Sequence, residues 1–487
     1  MPRKFVVRTF GCQMNEHDSE RIASDLLASG MERIDDPEQA DVVVINTCCI
    51  RENADNRLYG TLGQLKSVQD RRPGMQIAVA GCLAQKDRET ILDRAPYVNV
   101  VFGTHNVSRS VELLEQSRAQ NEAIVEILEA PVEPEDAFAP ATPVHVDHPY
   151  SAWVTIQVGC DNSCAYCIVP QVRGPERSRP FAELLTEIGA LARAGTFEVT
   201  LLGQNVNSYG RDLALALRSN PGLDAARLAG SRFASSKRSV RPLFGDLLEA
   251  VGEIDGIRRI RFISPHPKDL RDETIVAMAE TEAVCEQLHL PLQSGSNTVL
   301  RRMQRGYTAD RYLERLEIAR QSIPDLAVTT DLIVGFPGET DAEFEATLKV
   351  AAEAHFDSTF TFIYSPRPGT AAAKLVEDEV PQEVIAERYA RLKAVVDRSA
   401  LESHRGRVGR REEIVVEGPA RRDPSLHQGR TRQGKVVLFS PDPTALEPGS
   451  IVQATIVGAG SYHLRGELVA RPAAPRPSRR SIPLSVD

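Results

Sequence analysis

Between Trp153 and Pro366 the sequence repeats one unit: an apolar run of strand length, then in most cases an amphipathic stretch of helical period. The runs are Trp153 to Val158, Phe197 to Leu202, Arg258 to Ile263, Gln287 to Leu292, Leu326 to Val334 and Ser358 to Tyr364. Strands that alternate with helices lie parallel, because each helical crossover returns the chain to the same edge of the sheet. Six units are fewer than the eight of a full barrel, so the pattern predicts an open, partial (β/α)6 barrel. Polar residues gather where those strands end: Gln204 and Asn205, Ser264 and His266, Gln293 with Ser294 and Ser296, and Asp331. In barrels of this kind that end carries the chemistry.

The first strand runs into Gly159-Cys160-Asp161-Asn162-Ser163-Cys164-Ala165-Tyr166-Cys167. Three thiols spaced CxxxCxxC on a strand-to-helix loop can wrap one face of an iron-sulfur cube. A structural zinc site normally takes a fourth protein ligand, and none follows locally. The alternatives are a zinc knuckle or three inert buried thiols.

From Lys4 to about Leu114 the same alternation predicts an open parallel α/β sheet. Its strands are Phe5 to Phe10, Asp41 to Asn46, Gln76 to Ala80 and Val98 to Phe102. A helix is predicted over Asn15 to Ser29, capped by Asn15 or Asp18, and another from about Glu52 to Gln69. Cys12, Cys48 and Cys82 each fall within three residues of a strand's carboxyl end. Parallel strands bring those ends to one edge, where open α/β sheets build their sites. Three thiols far apart in sequence can therefore converge on a second open-sited cluster. Cys49 and Cys285 read as ordinary buried residues.

The chain has 487 residues and eight cysteines, with no signal peptide at its start and no apolar run long enough to span a bilayer. These features predict a cytoplasmic protein whose thiols serve metal or redox chemistry, not disulfides. The formal net charge is −9, yet residues 401–487 carry 14 Lys or Arg against 9 Asp or Glu. That imbalance hints at a polyanion near the C-terminal end. Residues 406–470 hold short strand-like runs, Glu413 to Glu417, Gly434 to Phe439, Ile451 to Val457 and His463 to Val469, which suit a small β-barrel of the kind that binds oligonucleotides. A long helix, Glu379 to Arg405 with Pro381 at its start, leads into it. The domains are thus 1–128, a Pro-rich and acidic linker at 129–148, 149–405, and 406–470, with a disordered tail at 471–487. Residues 211–241, rich in basic residues, Ala and Ser, read as an inserted mobile surface loop.

Several stretches match one family in order and spacing. They are Thr9 to Asn15 with Asp18-Ser19-Glu20, Asn46-Thr47-Cys48 with Ile50-Arg51-Glu52, Gly81 to Gln85, Cys160 to Cys167, Leu202 to Tyr209, His289 to Ser296 and Thr330 to Thr340. Over about residues 4–470 the chain resembles the radical S-adenosylmethionine (SAM) methylthiotransferases, most closely the MiaB-type branch that acts on tRNA.

That resemblance implies 2-methylthiolation of N6-isopentenyladenosine next to the anticodon, with SAM as radical source and methyl donor. It implies two [4Fe-4S] clusters, an auxiliary one on Cys12, Cys48 and Cys82 and a SAM-coordinated one on Cys160, Cys164 and Cys167. Gln204, Asn205, Gln293, Ser294 and Asp331 are the candidate SAM contacts. The last domain corresponds to the family's TRAM module, which would hold the tRNA anticodon stem-loop, and a flavodoxin or ferredoxin type electron donor is implied. Sister branches act on a ribosomal protein aspartate or on threonylcarbamoyladenosine. A reading from another class is an iron-sulfur RNA-binding redox sensor.

Overall fold

The computed structural model describes residues 2–49, 52–130, 149–230, 240–375, 378–441 and 446–469. Most of the expected linker, residues 231–239 of the expected insertion, and the tail lie outside the described residues. No helix among the described residues is long and apolar enough to cross a membrane.

The first domain is a six-stranded parallel sheet. In spatial order its strands are Glu32–Arg33, Lys4–Phe10, Val42–Thr47, Gln76–Ala80, Val100–Phe102 and Ile124–Glu126. Both faces of the central strand are buried, which explains its unbroken apolar run. Val42 and Val44 pack with Ile22, Leu26, Leu113 and Leu114, from the helices Gln13–Ala28 and Ser110–Gln120. Val43 and Ile45 face the other layer, with Leu58, Leu62 and Leu83. The two short edge strands carry too little apolar sequence to be predicted.

The strand order reverses between Lys4–Phe10 and Val42–Thr47. Open α/β sheets place their crevice outside the carboxyl ends at such a switch point. Cys12 and Cys48 stand on its two sides. Buried asparagines tie the loops together: Asn15 Nδ2 donates to Asn46 Oδ1 (3.0 Å), and Asn46 Nδ2 donates to Asn15 O (2.7 Å) and Ser19 Oγ (3.0 Å). The expected caps are therefore corrected. The N-cap position is Cys12, and Asn15 and Asp18 lie inside the first helix, where their side chains brace the site. Gly81 stands over this network with φ +92°, and a Cβ there would lie 2.1 Å from Asn46 Oδ1.

The second domain has the six expected parallel strands: Ser151–Thr155, Glu198–Leu202, Arg259–Phe262, Gln287–His289, Ala327–Val334 and Ser358–Ile363. They pair as two groups of three, joined by a parallel bridge between Ile260 and Val284. Among the described residues no pairing closes the last strand onto the first, so the barrel is open. Val199, Leu201, Ile260, Leu288, Val328 and Leu332 pack in the core with the outer helices. The residues between them in sequence, including Thr200, Arg261, His289 and Asp331, belong to the opposite face of the strands. Thr340 and Glu343 form a capping box that starts the helix Asp341–Glu353.

The reading of residues 211–241 as one surface loop is corrected over its first part. Arg211–Ser219 and Ala225–Ala229 are helices, and Ala214, Leu217 and Ala229 are buried in the barrel domain's core.

The third domain is a closed five-stranded barrel: Arg411–Pro419, His427–Thr431, Val436–Phe439, Ile451–Ala459 and Leu464–Leu468. The second of these strands was not expected. Its inward position is Gly429, where a Cβ would lie 2.3 Å from Ile414 Cγ2, so the strand carries no apolar alternation.

The turn Thr431–Lys435 seals the amino end of the partial barrel. Arg261 donates to Thr431 O and Arg432 O (both 2.9 Å), and Arg259 pairs with Glu413 (2.7 Å). Arg432 meets Glu286 at 2.9 Å and also donates to Glu282 O and Val284 O. Lys435 pairs with Asp357 at 2.6 Å. Gly434 fits because a Cβ there would lie 2.4 Å from Gln287 Oε1.

Two outcomes follow for stability. Arg432→Ala removes the guanidinium that meets the buried Glu286 carboxylate, so it lowers unfolding free energy by about 3–5 kcal/mol in denaturant titrations. Gly81→Ala combines left-handed backbone strain of about 1–3 kcal/mol with displacement of Asn46; differential scanning calorimetry will show a lowered Tm.

Candidate iron-sulfur and SAM site

The cysteine edges of the first two domains face each other. His17 Nδ1 lies 3.2 Å from Thr155 Oγ1, and Thr104 Oγ1 donates to Val172 O (2.7 Å). Arg173 and Asp18, both buried, form an ion pair of 2.7 Å across the boundary. The carboxyl ends of two separate parallel sheets thus meet at one interface.

On the first domain, Cys12, Cys48 and Cys82 come together as their strand-end positions require. Cys48 is hydrogen-bonded to Cys12, which draws Cys12 down to about 6; burial opposes the shift and the Arg173 guanidinium adds to it. Cys82 is lowered by its hydrogen bond to Cys49, against burial and with further help from Arg173. Cys49 is pushed well above the usual thiol range by that same hydrogen bond and by burial. It sits in the core with Leu58 and Leu62, in the same cluster as Cys82. Gly11 allows the close approach, since a Cβ there would lie 2.5 Å from Cys48 Cβ.

On the second domain, Cys160, Cys164 and Cys167 lie half-buried on one loop. Cys160 N donates to Gly174 O (3.2 Å), Cys167 N to Cys164 O (3.0 Å) and Ala165 N to Met303 O (2.9 Å). Burial pushes Cys160 up and Cys167 up to about 12. Metal ligation replaces such thiol protons. The buried Arg305 donates to Cys164 Sγ at 3.3 Å and to Pro291 O, with Tyr307 OH beside it. His266 Nε2 lies 4.0 Å from the same sulfur. Burial, with Arg305 and Lys268 adding to it, lowers its pKa to about 2, so this imidazole is neutral. Tyr166 packs against the cluster of Val299, Met303, Ile333 and Phe336.

Both donor sets suit a cube with one open iron. Among the described residues no three His, Cys, Asp or Glu side chains gather closely enough to hold a single metal ion. Thiolates on a cube bind separate irons and stand farther apart than ligands of one tetrahedral ion. The two remaining cysteines are buried, Cys49 in the first domain's core and Cys285 at the entry to the fourth barrel strand.

The candidate SAM contacts divide. Among the described residues Gln204 Oε1 and Asn205 Oδ1 are buried with no hydrogen-bond partner, although Asn205 Nδ2 donates to Asp269 (2.8 Å). Gln157 Oε1 is equally unpartnered. Sequence reasoning passed over it because it lies inside the run Trp153 to Val158, read as an ordinary strand. Gln157 Nε2 donates to Ser208 Oγ, which donates to Glu176 Oε2; burial pushes Glu176 up to about 7. Gln293 holds φ +69°, an uncommon conformation that lets its backbone bond Asp331 O and Ile333 N. Asp331 is partly exposed, 3.6 Å from His289 Nε2. Ser294 is corrected: it is fully buried, its hydroxyl lies 3.1 Å from Thr347 Oγ1 and accepts from Ser296 N, and it offers a ligand no surface. Arg173 and Arg305 were also missed, since a lone arginine in a loop carries no periodic signal.

The family described as Uncharacterized protein family UPF0004 matches residues 4–103, and the Radical SAM superfamily matches residues 154–351. The tRNA-2-methylthio-N(6)-dimethylallyladenosine synthase of Saccharopolyspora erythraea is 49% identical over 470 residues, covering 95% of this chain and 90% of that protein. Its namesake from Salinispora arenicola is 50% identical over 472 residues, covering 96% and 88%. The solved structure of the radical S-adenosylmethionine methyltransferase TsrM from Kitasatospora setae aligns with a TM-score of 0.49 and 12% identity, over 76% of this chain and 75% of that one. By these relatives and the thiol sets that accompany them, the chain belongs to the tRNA-2-methylthio-N(6)-dimethylallyladenosine synthase family of the radical SAM superfamily.

Proposed function

We infer that this chain is a tRNA methylthiotransferase, which replaces the C2 hydrogen of N6-dimethylallyladenosine (isopentenyladenosine), next to the anticodon, with a methylthio group. The observation that carries the reading is the meeting of two tricysteine edges at one interface in a chain about half identical to the named synthases. The C2 hydrogen of adenine is not acidic and its carbon is a poor electrophile, so acid-base residues alone do not replace it. Cys160, Cys164 and Cys167 would hold a [4Fe-4S] cluster able to supply the electron for SAM cleavage, and Cys12, Cys48 and Cys82 would hold a second, able to supply sulfur.

The chain's own residues bind, orient and shield. The free oxygens of Gln157, Gln204 and Asn205 suit the donor groups of SAM, and His289 with Asp331 adds polar groups to the inner face of the strands. The first domain covers the carboxyl ends of the barrel strands and keeps bulk water from a reactive radical. A base in a single-stranded anticodon loop unstacks at modest cost and reaches such a covered site. The electron donor we propose is of the flavodoxin or ferredoxin type. The TRAM-like barrel holds the stem through phosphates, for which the exposed Arg421 and Arg422 are suited.

Anaerobic turnover of the reconstituted protein with SAM, reductant and tRNA carrying dimethylallyladenosine yields the 2-methylthio nucleoside and 5'-deoxyadenosine by mass spectrometry. Cys160→Ala abolishes both products, whereas Cys48→Ala abolishes thiolation and leaves SAM cleavage. Absence of the thiolated base from the wild-type reaction with both clusters loaded refutes the assignment. Removing the whole third domain would open the sealed barrel base, so its RNA role is tested by Arg421→Ala with Arg422→Ala. That pair weakens tRNA binding and reduces the salt dependence of log Kd by about 1–2, and an unchanged slope overturns the phosphate role.

A further inference from the structure

The segment Ile168–Pro175 belongs to the barrel domain in sequence, yet it is built into both cysteine sites. Ile168 and Val172 are buried in the first domain's core beside Cys49, Cys82, Leu83 and Ala84. At its end, Gly174 O accepts from Cys160 N, and a Cβ on Gly159 would lie 2.0 Å from Pro175 O. Between these anchors Arg173 leaves its own domain and pairs with Asp18 at 2.7 Å.

We propose that Arg173 is a positioning residue of the auxiliary cluster: supplied by the barrel domain and held by Asp18, it provides the buried positive charge that stabilises the Cys12, Cys48 and Cys82 ligand set. This rests on the reading that those cysteines hold a cluster. Three thiolates and the Asp18 carboxylate put negative charge in a largely water-free place, and burial disfavours it unless a cation is near. Val172, next to Arg173 in sequence, packs with Cys82, and the Asp18 that pairs with Arg173 lies on the helix whose N-cap is Cys12. Lys86, on the same side of the first domain, is already opposed by Asp87 at 3.1 Å. Cluster potentials respond to net charge and to hydrogen bonds at the sulfurs. The auxiliary site is therefore complete only when the two domains are docked.

The test is a redox titration of the reconstituted full-length protein followed by EPR, in which the radical cluster is recognised by its response to added SAM. Arg173→Gln lowers the auxiliary cluster's potential or costs it iron while the SAM-responsive signal stays. Asp18→Asn shifts the potential upward, because Arg173 then acts unopposed, and Arg173→Lys restores values near wild type. Mere loosening of the interface moves Arg173→Gln and Asp18→Asn in the same direction, which overturns the proposal. So does an unshifted, fully loaded Arg173→Gln, or a Lys variant as impaired as the Gln variant. A wild-type protein with only the SAM-responsive cluster refutes the two-cluster reading instead.

Discussion

Parallel strands joined by helical crossovers finish on one edge, and nearly everything in this molecule depends on two such edges being turned toward each other. Each loop after a strand is free of the sheet's hydrogen-bond ladder and can carry a thiol, an amide or a carboxylate. In the first domain the loops after three different strands bring Cys12, Cys48 and Cys82 together. In the second, one loop supplies all three thiols, which leaves the ends of other strands for Gln204, Asn205 and Gln293, while Asp331 lies inside the strand Ala327–Val334. Docking edge to edge shields both sets from water, and Cys82 packs into a core cluster that Ile168 and Val172 extend across the boundary.

The two sites solve the same electrostatic problem with arginines from the same domain. Arg305 touches its sulfur directly and is fixed by backbone carbonyls and a tyrosine hydroxyl. Arg173 crosses a domain boundary and is fixed by a carboxylate. The first arrangement is complete within one folded unit, while the second exists only after two units have assembled. Arginine suits both places because its guanidinium stays charged when buried and its planar fork satisfies several acceptors at once.

Much of this was legible in the sequence because apolar runs of strand length are a direct record of burial. All six barrel strands and the four inner strands of the first domain lie where those runs fall. The meeting of Cys12, Cys48 and Cys82 at one sheet edge was legible because strand ends are predictable once strands are. What escaped has physical reasons. The strand His427–Thr431 hides behind Gly429, whose missing side chain is what lets neighbouring strands close. The helix Arg211–Ser219 buries little more than Ala214 and Leu217, so its basic surface dominated the reading. Ser294 matched the pattern of a ligand contact, yet its hydroxyl serves the entry of the next helix. Arg173 gave no sign, because its importance depends on a partner 155 residues away in sequence.

The turn Thr431–Lys435 gives the open barrel a floor. A vessel with a floor and an occupied mouth fills and empties through whatever gaps remain at its rim and along the unclosed seam between its first and last strands.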